Sequence, residues 1–184
     1  MNNSELIKEA KRGSAAAQKW LFDQFAGKML IVCRRYVKTP EDAEELLLNG
    51  FYKFFKKISS FTYQDDAALY MWLKRIMINE CLMFLRVKNA FTIVTEAVAE
   101  EIPLQEDALD NLSAEEIIRV IIQLPVGYRT VFNLYAIDGM THVEIAKQLN
   151  SSEGTSRSQY CKAKILLQNM FHRTKYNQRL IVCQ

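Results

Sequence analysis

Two helix signals joined by a tight turn near the C-terminus constrain the fold more than any other feature of the chain. Thr141, followed three residues later by Glu144, forms a capping box, which marks the start of the first helix. Asn150 tolerates the left-handed backbone conformation that ends a helix, and Ser152 can cap the helix that follows. The segment 139–158 is therefore predicted to form a helix-turn-helix, the motif whose second helix enters the major groove of DNA.

The two helices of this motif are predicted to present different faces. The first is expected to turn inward the apolar side chains of Val143, Ile145, Ala146 and Leu149. We expect His142, on the same helix, to be exposed. The second helix is expected to expose Arg157, Ser158, Gln159, Lys162 and Lys164. A plain helical hairpin inside a bundle is the alternative interpretation, and the distribution of charge argues against it.

Composition and charge predict an all-α protein with two basic modules. Only six glycines and three prolines occur in 184 residues, and no segment shows the alternation typical of a strand. Residues 1–88 carry 15 Lys/Arg against 10 Asp/Glu, and residues 139–184 carry seven bases and two acids. Residues 89–112, between them, carry six acids and no base. Two basic blocks separated by an acidic stretch indicate two modules that bind a polyanion such as nucleic acid.

Helix-start and helix-stop signals divide the N-terminal half of the chain. The predicted helices are Ser4–Arg12, Ala15 to about Val37, Thr39 to about Ile58, and about Leu69 to Val87. Thr39 followed by Pro40 and two acids is the clearest start, because it combines an N-cap, a proline at the first helical position and favourable charge. The inward side chains of the second helix are predicted to be Trp20, Leu21, Phe25, Leu30 and Ile31. Residues 59–68 are predicted to form a polar loop.

The C-terminal half is predicted to be a second helical domain. A capping box at Ser113–Glu116 opens a helix that ends at Leu124-Pro125, and another helix runs from Val126 to Asp138 and ends before Gly139. The acidic stretch before Ser113 shows no helical period, and we interpret it as a linker. The predicted organisation is a helical domain, an acidic linker and a second helical domain: residues 1–89, 90–112 and 113–184.

Nothing in the sequence predicts catalysis, a metal site or a cofactor. No CxxC pair occurs, and no cysteine lies near a histidine at metal-ligand spacing; the cysteines are Cys33, Cys81, Cys161 and Cys183. We interpret them as reduced thiols of a cytoplasmic protein. No signal-peptide core and no apolar run long enough to span a bilayer occurs, so no membrane insertion is expected.

Short motifs spread over nearly the whole chain resemble one protein family. In the N-terminal half they are Arg35-Tyr36-Val37, Ala43-Glu44-Glu45-Leu46-Leu47, Phe51, Phe61, Trp72-Leu73-Lys74-Arg75-Ile76 and Asn79. In the C-terminal half they are Leu124-Pro125, Arg129, Val131-Phe132, Leu134, Gly139, Glu144-Ile145-Ala146, Gly154-Thr155 and Arg157-Ser158. In this order and spacing they resemble the extracytoplasmic-function (ECF) sigma factors of bacterial RNA polymerase.

The resemblance implies a promoter-specificity subunit without catalysis of its own. Residues 1–89 would be sigma region two, which binds core RNA polymerase and the −10 element. Residues 113–184 would be region four, which binds the −35 element as duplex DNA. Promoter DNA and core RNA polymerase are thus the expected partners, and an anti-sigma factor is a further partner that the resemblance leaves open. The linker would thread the polymerase toward the RNA path.

The resemblance also implies which residues bind core polymerase, on the predicted helix Thr39–Ile58. They are Glu41, Asp42, Glu44, Glu45, Leu47, Leu48 and Phe51. The acids would steer the encounter and the apolar side chains would hold it. Family members often carry Gln-Glu where this chain has Leu48-Asn49, which departs from the usual polar contact.

A second set of residues would capture the unpaired −10 strand. They are Phe61, Tyr63, Tyr70, Lys74, Arg75 and Asn79. Aromatic rings stack on bases, the asparagine amide can bond a base edge, and cations hold phosphates. For the aromatic residues a core role is the alternative, and for the polar ones a solvated surface role. We expect Phe51, Phe54, Phe55 and Trp72 to belong to the core. The loop before Trp72 is slightly longer than usual in the family.

A third set would contact the −35 duplex from the second helix of the motif. They are Thr155, Arg157, Ser158, Lys162 and Lys164. Arg157 suits bidentate recognition of guanine, whereas Thr155 and Lys164 suit phosphate. Ordinary surface positions are the alternative. Ser156 stands where the family often has Val, and Gln159 where it often has Arg.

Two other functions fit parts of the chain. A stand-alone helix-turn-helix transcriptional regulator would need a ligand-sensing or receiver domain, which residues 1–89 do not resemble. An RNA-binding or nucleic-acid-modifying enzyme would need a metal cluster or an acid/base pair, and the sequence offers neither.

Overall fold

The computed structural model describes residues 2–88 and 114–182, with side chains described up to 171. Every regular element in these two ranges is a helix, which confirms the all-α prediction. Contacts divide the chain into two units, residues 1–89 and 90–184. The predicted linker 90–112 and the predicted cap Ser113 lie outside the described residues.

The first unit consists of four helices. They are α1 (Asn3–Lys11), α2 (Ala15–Arg34), α3 (Pro40–Lys57) and α4 (Asp66–Val87), and a short 3-10 turn, Ile58–Ser60, extends α3. Helices α2, α3 and α4 pack against one another, and α1 packs on α2. The unit is therefore a small bundle with one shared apolar core.

Local signals set the helix boundaries of this unit. Gly13 has a φ of +87°, which lets the chain reverse between α1 and α2. Thr39 accepts a hydrogen bond from the backbone of Asp42 over 3.2 Å and so caps α3, as predicted. Helix α4 begins three residues earlier than expected, because the Asp65 side chain caps it by accepting from Ala68 N over 2.7 Å. The irregular loop thus shrinks to residues 61–65.

Helix α2 buries Leu21 and Phe25, as predicted, but the rest of its buried stripe differs from the prediction. Trp20 and Ile31 are exposed, and Leu30 is only half-buried. The buried positions are Ala17, Leu21, Phe25, Met29, Val32 and Cys33. The helix also ends at Arg34 rather than near Val37. These positions recur every three or four residues, so Trp20 and Ile31 lie on the opposite side of the helix.

The described part of the second unit, residues 114–182, contains four further helices. They are α5 (Ala114–Ile121), α6 (Val126–Phe132), α7 (His142–Leu149) and α8 (Glu153–Val182), and a π-helical turn, Asn133–Ile137, extends α6. Helices α5, α6 and α7 each contact α8. The core where α5 meets α8 is formed by Val120, Ile121, Leu124, Ala163, Leu167 and Phe171. Helix α8 is therefore the scaffold of this unit.

Buried Arg129 joins α6 to the end of the preceding helix. Its Nη1 donates to the carbonyl of Ile122 over 2.8 Å, which satisfies a backbone acceptor that a helix end leaves without an internal partner. Burial lowers the pKa of Arg129 to about 10, so the guanidinium remains charged at neutral pH. Within the described ranges, no helix is both long and apolar enough to cross a bilayer.

Candidate nucleic-acid and polymerase interfaces

The helix-turn-helix forms through the capping contacts that the sequence predicts. Thr141 Oγ1 accepts from the backbone of Glu144 over 3.2 Å, while Glu144 Oε2 accepts from the backbone of Thr141 over 2.8 Å. Asn150 is left-handed, with φ 53° and ψ 49°, and ends α7. Ser152 Oγ accepts from the backbone of Thr155 over 3.0 Å at the start of α8. The start, turn and restart of the motif are thus confirmed.

The inward face of α7 agrees with the prediction at Ile145 and Ala146, and Leu149 is half-buried, but the start of the helix differs. His142, which was expected to be exposed, is 9% exposed, and Val143, which was expected to be buried, is 47% exposed. Both expectations are wrong. Helix α7 meets α8 and the π-helical turn through His142, Ile145 and Ala146, whose spacing of three and four residues fits one helical face. The sequence shows this spacing, but the spacing alone does not decide whether His142 or Val143 faces inward.

A polar contact inside this motif ties α7 to α8. The Nδ1 atom of His142 lies 2.9 Å from the buried Oγ of Ser156, within hydrogen-bonding distance. The imidazole also stacks on Tyr135, with ring centroids 4.1 Å apart. Where the family often has Val, this chain therefore has a hydroxyl that serves a buried histidine. The contact fixes the first turn of α8 relative to α7.

The solvent side of α8 brings together the predicted −35 residues. Thr155, Arg157, Ser158 and Lys164 are exposed, and Lys162 is half-buried. Ser158 lies opposite the buried Ser156, while Arg157 and Lys164 lie along one flank of the exposed side. Cys161 is also exposed on this side, three residues after Ser158, although sequence reasoning treated it only as a thiol.

Arg157 does not stand alone on this surface. Its Nε donates to Glu153 Oε1 over 3.0 Å, and its Nη2 donates to the same oxygen. The remaining edge of the guanidinium, formed by Nη1 and Nη2, keeps two donors directed away from that carboxylate. The pair therefore restrains the side chain and still leaves a fork suited to the O6 and N7 acceptors of guanine.

The predicted −10 residues lie in the 61–65 loop and on α4. Phe61 stacks on Trp72, with centroids 4.6 Å apart and an interplanar angle of 13°. The Tyr63 hydroxyl donates to Asp66 Oδ1 over 2.5 Å, and this bond raises the pKa of Tyr63 to about 12. Arg75 and Asn79 are exposed one helical turn apart on α4.

Tyr70 and Lys74 lie on the same helix as Arg75 and Asn79, and both are half-buried. The buried face of α4 includes Leu73 and Met77, so Arg75 and Asn79 point away from the core. The Phe61–Trp72 stack places the start of the loop against the face of α4 that also carries Arg75 and Asn79, at spacings of three and four residues. Trp72, expected only in the core, also serves as the stacking partner of Phe61.

Helix α3 divides the predicted polymerase residues into two groups. Leu47 and Phe51 are only 7% and 2% exposed, because they pack in the core. Leu48 is 60% exposed, and Tyr52, which the sequence analysis did not name, is 66% exposed. An apolar surface contact of this helix therefore falls to Leu48 and Tyr52, and Leu47 and Phe51 support them from beneath.

The acids of α3 begin the same exposed stripe. Glu41, Glu44 and Glu45 are exposed, and Glu41 and Glu45 precede Leu48 at helical spacing. Asp42 is half-buried and accepts from Lys88 Nζ over 3.1 Å. A hydrogen bond from Thr39 lowers the pKa of Asp42, and Lys88 lowers it further. Asp42 therefore already has partners within the unit.

The thiols and metal ligands form no additional site in the described ranges. Cys33 and Cys81 are free and buried. Their contact and their burial raise the pKa of the Cys81 thiol well above its ordinary value, which disfavours the reactive thiolate. Within residues 2–88 and 115–171, no group of three or more His, Cys, Asp or Glu side chains is placed to hold a metal ion.

The two units match two models of one family, in the same order. Residues 21–91 match sigma-70 region 2, and residues 114–167 match sigma-70 region 4. Together these matches cover more than half of the chain. A chain with both regions is a two-domain transcription-initiation factor, and this chain belongs to the sigma-70 family, in its ECF group.

Individual relatives agree with that assignment. The chain is 27% identical to the ECF RNA polymerase sigma factor SigM of Mycobacterium tuberculosis, over 90% of this chain and 83% of the relative. It is 28% identical to the ECF sigma factor SigW of Bacillus subtilis, over 83% of this chain and 87% of the relative. The sigma factor RpoE of Bartonella quintana, solved with the anti-sigma factor NepR, has a similar fold: TM-score 0.52 at 19% identity, covering 84% and 96% of the two chains.

The His142–Ser156 contact yields a prediction about the stability of the motif. Ser156→Val should destabilise the α7–α8 pair by about 1–3 kcal/mol, because it leaves a buried imidazole nitrogen without its partner. Amide hydrogen exchange of α7 in the full chain measures this loss. His142→Leu combined with Ser156→Val should recover part of it.

Val143→Ala on the same helix is the control for this test. Its side chain is exposed, so the free energy of opening that hydrogen exchange reports for α7 should change by less than about 0.5 kcal/mol. Unchanged protection of α7 in Ser156→Val would show that the hydrogen bond does not stabilise the motif.

Proposed function

We propose that this protein is a promoter-specificity subunit that binds core RNA polymerase, recognises −35 and −10 elements and assists strand opening. It acts on DNA inside the cell and has no catalytic activity of its own. The observation that carries the proposal is that one chain joins two surfaces of different kinds, each with side chains that suit nucleic acid. One is an exposed basic helix in a helix-turn-helix, and the other is an aromatic loop beside cations and an amide.

The second unit would read the −35 element as duplex DNA. Helix α8 presents Arg157 and Ser158 in its first two turns, where a helix in the major groove reaches base edges. Lys162 follows one turn later. Thr155 and Lys164 lie at the sides of this surface and suit phosphate contacts, which position the helix without reading sequence.

The first unit would capture the non-template strand near the start site. Stacking on an aromatic side chain contributes about 1–3 kcal/mol per base, against about 1.4 kcal/mol for each duplex step that is unstacked. A few such contacts therefore offset local opening without ATP. Asn79 would bond the edge of a flipped base, and Arg75 would hold the backbone beside it.

The exposed stripe of α3 would bind core polymerase. Glu41 and Glu45 supply charge that steers the encounter, and Leu48 with Tyr52 supplies apolar area that is already free of the core. Since a similar sigma fold was solved with an anti-sigma factor, we propose that this chain also has such an inhibitor.

A stand-alone regulator is the competing function. Such a protein would bind its operator without polymerase, whereas a sigma factor acts through the holoenzyme. Run-off transcription with purified core polymerase on a randomised promoter library separates the two, and it also supplies a promoter for the tests below. Absence of any selected promoter, together with operator binding by the free chain, would favour the regulator.

The polymerase contact predicts a loss of core binding. Glu41→Lys with Glu45→Lys should weaken binding to core polymerase, because reversed charges oppose the encounter, while helicity is unchanged. A pull-down titrated over salt concentration measures this effect. The control carries the same charge change elsewhere, Glu5→Lys with Glu115→Lys, at two exposed positions. Equal binding by both double variants would remove α3 from the interface.

The −35 contact predicts different effects for two cations on α8. Arg157→Ala should cost about 1–3 kcal/mol on the selected promoter and relax preference at one base pair. Lys164→Ala should weaken binding to every sequence and reduce the salt dependence by about one unit. Binding of promoter variants by the holoenzyme measures both. A uniform loss in Arg157→Ala would assign Arg157 to phosphate.

The −10 contact predicts a defect in opening. Asn79→Ala should leave core binding intact and reduce open-complex formation, because the flipped base loses its edge contact. Permanganate reactivity of the start region measures opening, and a pre-melted bubble should partly restore it. Normal opening of a fully paired promoter by Asn79→Ala would return Asn79 to an ordinary surface role.

A further inference from the structure

Helix α1 contacts both ends of the 61–65 loop, although the proposed function gives this helix no role. Lys11 Nζ donates to the backbone carbonyl of Phe61 over 2.6 Å, at the start of the loop. Asn3 Nδ2 donates to Asp66 Oδ1 over 2.8 Å, at its end. The first contact joins two residues that are 50 positions apart in sequence, and the second joins two that are 63 positions apart. They are therefore tertiary contacts that no local signal predicts.

The support that α1 offers is firmly anchored. Leu6, Ile7 and Ala10 are at most 2% exposed, and α1 packs along α2. Asn3 itself is 8% exposed, so its amide lies at the edge of the core rather than in solvent. Lys11, at the other end of the helix, is exposed and reaches the loop from outside. A helix held in this way can fix a loop that lacks helical hydrogen bonds of its own.

The Asp66 carboxylate transmits this support to an aromatic residue. Its Oδ1 accepts from Asn3 and also from the Tyr63 hydroxyl. The hydrogen bond from Tyr63 lowers the pKa of Asp66 most, and the one from Asn3 lowers it further. The carboxylate therefore remains ionised and accepts both donors at neutral pH. Asp66 also lies in the first turn of α4, where the helix dipole favours a negative charge. Tyr63 is thus tied to the start of the helix that carries Asn79, through the same carboxylate oxygen to which Asn3 of α1 donates.

We propose that α1 is a positioning element for the loop that captures the −10 strand, and that Asn3 and Lys11 are its positioning residues. Asn3 acts through Asp66 on Tyr63, and Lys11 acts through the carbonyl of Phe61. The loop is then ordered before DNA arrives, so strand capture does not bear the entropic cost of ordering it. This inference rests on the proposed function of the loop, and it concerns selectivity and opening rather than attachment to polymerase.

The test uses the full chain with core polymerase on the selected promoter and on variants substituted at the −10 element. Asn3→Ala with Lys11→Ala should lower the open-complex fraction on the paired promoter by about tenfold and flatten the preference among −10 variants, as expected when two side chains must be ordered on binding. Core binding and −35 duplex binding should not change. Lys11→Arg, which keeps a cationic donor, should behave like the unmodified chain.

Lys8→Ala supplies a matched control, since Lys8 is an exposed lysine on the same helix. It removes the same charge and should leave opening and −10 preference unchanged. Far-UV circular dichroism of each variant reports whether the helices remain folded, and it does not depend on the Phe61–Trp72 stack in the loop. If Asn3→Ala unfolds the unit, the single variant Lys11→Ala, at an exposed position, tests the proposal by itself.

The outcomes separate this proposal from the function it rests on. If Asn79→Ala impairs opening while folded Asn3→Ala with Lys11→Ala opens and discriminates normally, the role of α1 is overturned and the −10 role of the loop and α4 remains. If neither Asn79→Ala nor Tyr63→Ala affects opening, the base-capture function itself fails. An equal defect in Lys8→Ala would reduce the effect of Lys11 to general charge, and it would also overturn the proposal.

Discussion

Burial of one face of each long helix determines what the rest of the molecule can offer to a partner. Helix α4 turns Leu73 and Met77 into the core, and this rotation alone leaves Arg75 and Asn79 on the outside. Helix α3 behaves in the same way, since it buries Phe51 and exposes Leu48 and Tyr52 opposite. A rotation of one residue along either helix would remove the exposed set and bury charge, which is costly. Core packing is therefore what aims the functional side chains.

Polar contacts refine this arrangement where apolar packing does not reach. In the second unit, the His142–Ser156 contact joins the two helices of the motif at the turn from which α8 projects. In the first unit, Asp66 gathers Asn3 and Tyr63 at the start of α4. Both contacts link distant parts of the chain beside a proposed DNA surface. They add directional restraint where the protein needs a defined geometry, because hydrogen bonds depend on angle as well as distance.

Charge and aromaticity are divided between the two units in a way that fits two forms of DNA. The α8 surface offers cations and hydroxyls at groove-reading positions, which suits a closed duplex. The first unit offers rings, an amide and cations, which suits bases that have left the stack. The Glu153–Arg157 pair restrains the cation that we propose to read bases. In the proposed function, positive charge would thus serve two kinds of recognition.

The sequence by itself determined the helices and the helix-turn-helix, because caps, positive-φ glycines and Asn150 act within a few residues. Thr39, Thr141 and Ser152 all cap as local reasoning predicts. Only the tertiary structure decided which sides of the helices face inward: it buried His142 and exposed Trp20. It also joined α1 to the 61–65 loop. These outcomes depend on partners many residues away, and a helical period fixes the spacing of a stripe without fixing the neighbour against which it packs.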